Sequence, residues 1–233
     1  MNNIAAVTLL MGMMSTLSHA SIYTGVNLGI NAVTVDKKLT YPLDDITPAR
    51  AHFNSAYTNF HAQVLAGYEL PIRPQWSAAL EVDADFFTGN AQYTVNNWYF
   101  EEGINAQEKL DYGFSLFLLP AYHYTDKVTF FAGPGVSTSS FIIHAKNTAG
   151  NVGVSENYSQ WLTGGGLKIG LATQIMPAID VLLTYQFTQY ESMSRTHIEP
   201  LSEESLRGSY RPYTNLVLLG VKWHPANPIT YDK

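Results

Sequence analysis

Glu81, Asp83 and Asp85 occupy alternate positions of WSAALEVDADFF, residues 76–87. In an extended chain that spacing puts the three carboxylates on one face and Trp76, Ala78, Leu80, Val82, Ala84 and Phe86 on the other. Neighbouring carboxylates run acid–base chemistry when their surroundings push their affinities for protons apart. They are also commonly neutralised in place by buried cations. Lys168 and Lys222 stand on the polar faces of their own alternating segments, beside Gly164, Gly166 and Gly170 and beside Thr214, Gly220 and His224. The pattern predicts an enclosed ion-pair network of Glu81, Asp83, Asp85, Lys168 and Lys222; a solvated strand face and a catalytic carboxylate pair are the competing readings. His61, His123, His144 and His197 could assist a nucleophile, but no local motif joins any of them to a serine and a carboxylate. No catalytic residue is assigned. Cysteine is absent, the seven His are scattered without an HxxxH pair, and Asp44 and Asp45 lack the spacing of a calcium loop, so neither a metal site nor a cofactor is expected.

The elements that must position these groups read as strands. Period-two alternation runs through residues 21–33, 59–70, 76–87, 111–124, 128–141, 160–172, 178–190 and 213–224. The fourth is the least clean, because Phe117 and Leu119 fall on the face that otherwise holds Gly113, Ser115 and His123. Long polar segments, roughly residues 35 to 57, 88 to 110, 143 to 158 and 190 to 212, alternate with short connections at Pro71 to Pro74, Thr125 to Lys127 and Thr173 to Pro177. Short links join antiparallel neighbours. The expected fold is therefore all-β: an eight-stranded antiparallel up-and-down barrel with both ends on the short-turn side.

Such a barrel can point its apolar face inward, as soluble lipocalin-like barrels do, or outward into a membrane. Side-chain size favours the membrane. The polar face is rich in Gly, Ser, Ala and Asn, which suits a narrow lumen, whereas Tyr68, Trp76, Phe86, Tyr112, Tyr124, Trp161, Tyr185, Phe187, Tyr213 and Trp223 lie on the apolar face near strand ends, where interfacial girdles form. After Ala20 no run is long and apolar enough for a spanning helix. Residues 1–20 carry no charged side chain and end in Ser18-His19-Ala20, which predicts a signal peptide, a barrel domain over residues 21–225 and a short periplasmic tail over 226–233. A formal net charge of -6 without a Lys/Arg cluster in the sequence argues against nucleic acid as a partner.

LAGYEL (65–70), LPAYHYTDKVTFFAGPG (119–135), TGGGLKIGL (163–171), VLLTYQFTQY (181–190) and LLGVKWH (218–224) resemble the outer-membrane protein A transmembrane domains, their outer-membrane protein X type relatives and the opacity-like surface antigens. The resemblance implies a bacterial outer-membrane location with periplasmic termini and extracellular loops, contacts with outer-membrane lipid and lipopolysaccharide, and handling by the barrel-assembly machinery. It also implies an envelope-structural or adhesive role toward host or cell-surface molecules. Members commonly end their last strand in an aromatic residue; the matching position here is Pro225, with Trp223 nearby. A non-enzymatic surface barrel is the leading expectation. Trp98, Tyr99 and Phe100 are the candidate loop contacts, within a wider set that includes Tyr41, Tyr93 and Tyr158. A small pore and a lipid-modifying enzyme are the alternatives.

Overall fold

The computed structural model describes residues 21–42, 48–96, 103–147, 155–198 and 205–225. Ten strands form: β1 (Ser21–Pro42), β2 (Pro48–Arg73), β3 (Trp76–Phe87), β4 (Ala91–Asn96), β5 (Gly103–His123), β6 (Val128–Asn147), β7 (Ser155–Met176), β8 (Ile179–Tyr190), β9 (Met193–Ile198) and β10 (Ser205–Trp223). Eight of them close an antiparallel ring in the order β1-β2-β3-β5-β6-β7-β8-β10, with β10 returning to β1. This is the eight-stranded transmembrane barrel that the alternation predicts. Its short connections are residues 74–75, 124–127 and 177–178. The first and third correct the expected Pro71 to Pro74 and Thr173 to Pro177 turns: β2 runs on to Arg73 and β7 to Met176, each through a bulge, because Pro71 and Arg73 still find partners on β3, and Gln174 and Met176 on β8.

The apolar residues point outward. Ile30, Leu80, Val82, Leu118, Leu183 and Leu219 are each half or more exposed, whereas Glu81, Asp83 and Asp85 are no more than 5% exposed. An apolar band that encircles a monomer has no stable place in water. Trp76 and Phe86 on β3, and Trp223 and Tyr213 on β10, lie ten positions apart along their strands. At ~3.3 Å per residue and a tilt of ~40°, ten residues span ~25 Å, the height of the apolar band of an outer-membrane barrel. Paired rings mark both rims: Trp76 against Tyr122 at 5.0 Å toward the short turns, and Tyr112 against Trp161 at 5.2 Å toward the long hairpins.

Inside, bulky residues lean across glycines on the adjacent strand. Tyr23 faces Gly67, Phe117 faces Gly135 and Phe131 faces Gly170 in direct register. A Cβ at these glycines would lie 2.1, 2.3 and 2.3 Å from the facing ring. This explains the irregular fourth pattern: Phe117 and Leu119 do face the lumen, where they join Tyr23, Leu65 and Leu182 in an apolar layer.

The segments expected to be long loops are largely strand. In β1 the same parity continues beyond the membrane rim with its polarity exchanged. Outward residues change from Val26, Leu28 and Ile30 to Asp36 and Lys38, and inward ones from Asn27 and Asn31 to Val33, Val35 and Leu39. The wall also divides there. β2 loses β3 after the His61–Phe87 pair, and after residues 88–90, with Gly89 at φ 78°, the chain resumes as β4, which pairs with β5. On the other side β8 ends at Tyr190 and β9 pairs with β10. The barrel thus opens into two four-stranded sheets, β2-β1-β10-β9 and β4-β5-β6-β7. Val33, Val35, Leu39, Met193 and Tyr210 of one pack on Leu110, Phe141, Ile143 and Leu162 of the other.

Candidate functional site

The lumen carries the residues whose chemistry the sequence flags, sorted into three groups by strand register. In the first, Lys168 reaches from β7 to β3, three strands around the ring. Its Nζ lies 2.7 Å from Glu81 Oε1 and 2.6 Å from Asp83 Oδ2. Tyr23 donates to Glu81 Oε2 at 2.9 Å, and the Phe117 ring lies 5.0 Å from the ammonium. One cation thus holds two carboxylates across the bore beside an aromatic wall, whose low polarity strengthens the attraction.

Asp85 forms the second group without a lysine. It is held by His61 Nε2 at 3.0 Å, by Gln63 Nε2 at 2.9 Å and by the Ser115 hydroxyl at 2.8 Å. Lys222 belongs to the third. It stands opposite Asp180 in the β8–β10 register, 3.3 Å from that carboxylate and 4.0 Å from Glu69, at the short-turn mouth. The single five-residue network of the sequence reading is therefore divided. Lys222 lies nearer the turns than Glu81, and the alternation fixes its face but not its height. Glu69, Asp180, His61 and His224 were missed as partners, although each stands on the polar face of its strand, which was the available signal.

The mouth also contains serine–histidine contacts. His224 Nδ1 lies 3.0 Å from Ser21 Oγ and its Nε2 3.1 Å from Asp180, while Ser77 Oγ lies 2.9 Å from His123 Nε2 and donates to Glu69 at 2.6 Å. The neighbouring cavity, bounded by Asp180, Lys222 and His224, measures about 60 Å³. That is room for a few waters. A second cavity of about 30 Å³ lies between Tyr23, Glu81, Lys168 and Lys222. Among the described residues no group of three or more His, Cys, Asp or Glu is arranged to hold a metal ion.

Beyond the membrane rim, polar contacts pin the two sheets together along both slots. Lys37 of β1 and Glu108 of β5 pair at 2.8 Å with both side chains fully buried, and Ser55 of β2 donates to Glu108 at 3.1 Å. Burial pushes the Lys37 ammonium below its ordinary value, and the Glu108 carboxylate opposes that shift. At the other slot Arg195 of β9 donates to Gln160 of β7 at 3.1 Å and stacks over Tyr158. Two aromatics expected among the loop contacts are accordingly part of the packing. Tyr93 lies on β4 with its ring 3.3 Å from Lys37 Nζ and its hydroxyl on Glu108, and Tyr158 packs on the apolar core. Both sit on inward positions of strands where the polarity pattern predicts loop. Trp98, Tyr99 and Phe100, and the side chains of Tyr41 and His197, lie outside the described residues.

No known sequence family matches the chain, and no curated protein matches it. Solved structures do. The chain is similar to the outer membrane protein OprG from Pseudomonas aeruginosa (14% identity, 88% of this chain and 98% of that one, TM-score 0.52). It is also similar to the outer membrane protease OmpT from Escherichia coli (8% identity, 88% and 96%, TM-score 0.52) and to a major outer membrane protein from Thermus thermophilus (14% identity, 83% and 99%, TM-score 0.50). At such identities the likeness is one of fold: that of the outer-membrane barrels.

Proposed function

We propose that the chain is a non-enzymatic protein of the bacterial outer membrane whose lumen is sealed and whose two-sheet head carries contact surfaces outside the cell. The short turns face the periplasm in this reading, and residues 1–20 are removed on export. The observation that carries it is the exchange of polarity along β1. Ile30 suits acyl chains and Lys38 water, while the interior changes from Asn27 and Asn31 to Val33 and Val35. A wall built this way spans a bilayer and then continues as a rigid, solvated projection.

Three features favour a sealed and inert lumen. Lys168 bridges the bore, Phe117 and Leu119 fill it, and the cavities beside the charged groups hold only a few waters. Glu81 and Asp83 both spend their charge on one ammonium, which leaves neither placed as a base. Asp180 is shared between His224 at 3.1 Å and Lys222 at 3.3 Å, which ties the Ser21–His224–Asp180 contacts into an ion-pair cluster. Outer-membrane fractionation with heat-modifiable gel mobility, together with protease shaving of intact cells, tests the reading. SDS resistance until boiling and cleavage confined to the long-hairpin side support it; a soluble, heat-indifferent band contradicts it.

A further inference from the structure

We propose that the outward face of β10-β1-β2, just beyond the membrane rim, docks the phosphate groups of lipid A in the surrounding leaflet. The proposal rests on the outer-membrane reading above.

Strand register assembles the surface from residues far apart in sequence. Thr34 of β1 lies between Tyr213 of β10 and Ala56 of β2, at the rim. The next outward rows are Arg211, Asp36 and Asn54, then Ser209, Lys38 and His52, then Arg207, Thr40 and Arg50. At ~3.3 Å per residue and a tilt of ~40°, these rows stand ~5, ~10 and ~15 Å above the rim. That is the depth at which the first charges appear above the acyl chains. Arg50, Arg207, Arg211 and Lys38 are exposed and form no ion pair among the described residues. The acid within the rows, Asp36, is turned to His52 at 2.5 Å.

Two comparisons make this more than a solvated face. The chain has 13 Lys and Arg against 19 Asp and Glu, yet four of the 13 gather on the outward face of three adjacent strands beyond the rim. The outward face of β4-β5-β6-β7 shows no such excess among the described residues: Lys109 is paired with Asp111 at 3.1 Å, and Gln92, Thr94, Asn157 and Ser159 are neutral. Arg211 faces Asp36, but Lys38 lies diagonal to both Arg207 and Arg50, and these like charges repel one another, so folding alone does not favour the cluster. Neighbouring strands lie ~5 Å apart and successive rows ~7 Å, within reach of Lys and Arg side chains that converge on one phosphate. Lipid A presents phosphates at a fixed height beside acyl chains that the band below already covers.

The test uses the full chain in phosphatidylcholine nanodiscs containing bisphosphoryl lipid A or its dephosphorylated form, and reads lipid A retained per captured barrel. Wild type should enrich the phosphorylated lipid over the dephosphorylated one by about tenfold at low salt, less as salt screens it. K38Q/R50Q/R207Q/R211Q should lose that preference, while K109Q/K127Q keeps it. Single R211Q and K38Q variants, each lowering enrichment, cover the case in which the quadruple variant fails to insert. Equal retention of the two lipids, an unchanged preference in the quadruple variant, or equally tight capture of free inorganic phosphate by the barrel in lipid-free detergent would overturn the proposal. A barrel that inserts without preference overturns only this inference; one that never inserts overturns the membrane reading too.

Discussion

Lys168 Nζ lies 2.6 Å from Asp83 Oδ2 and 2.7 Å from Glu81 Oε1, so one ammonium holds two carboxylates of another strand across the barrel interior. Removing the cation leaves two acids facing each other away from water. K168M should destabilise the barrel by about 3–5 kcal/mol, the usual cost of breaking a buried pair from one side. The triple variant K168M/E81Q/D83N should recover much of the loss. Urea midpoints in detergent check the order, and single-channel recording should show rare openings in K168M that wild type lacks.

The aromatic–glycine pairs give a matched steric test. A Cβ at Gly135 would meet the Phe117 ring at 2.3 Å and the Leu116 carbonyl oxygen at 2.6 Å, whereas one at the outward Gly165 would meet nothing within 4 Å. G135A should therefore cost about 1–3 kcal/mol from overpacking, and G165A should stay within ~0.5 kcal/mol of wild type. Equal effects at both positions in a denaturant titration would remove the lumen-packing argument.

Lys37 and Glu108 join the two sheets of the head. K37M and E108Q should each loosen the head by several kcal/mol, and K37M/E108L should be milder than either, since an apolar pair replaces an uncompensated buried charge. Limited proteolysis should cut the single variants within the long hairpins while their membrane bands still resist SDS. Loss of SDS resistance together with the head would show instead that head and barrel form one cooperative unit.

A lysine scan separates the lipid-facing band from the head. V82K, at the middle of the band, should cost about 2–4 kcal/mol, whereas A56K, on an outward face at the rim, should cost no more than ~1 kcal/mol. Similar costs at both sites in refolding titrations with lipid vesicles would contradict the placement of the bilayer.

The barrel was legible because period-two alternation states which residues share a face, and that sufficed for β3, where Leu80 and Val82 part from Glu81 and Asp83. The head was not. Val33, Val35 and Leu39 keep the parity of Asn27 and Asn31, but the exchanged polarity reads as the end of a membrane strand. Lateral register was legible only at short turns. That is why the faces alone group Lys222 with Glu81 although it pairs with Asp180, and why the convergence of Lys38, Arg207 and Arg211 is invisible in a sequence that scatters them.

The outward direction of the apolar face decides the whole account, and the absence of cysteine makes it directly measurable. Single cysteines introduced at each position from 78 to 86 and spin-labelled in lipid vesicles report oxygen and water-soluble nickel accessibility. An outward apolar face gives a period of two, with labels at 78, 80, 82, 84 and 86 open to oxygen and closed to nickel, and labels at 79, 81, 83 and 85 shielded from both. Even-numbered labels shielded from both agents, with odd-numbered labels open to nickel, would contradict it.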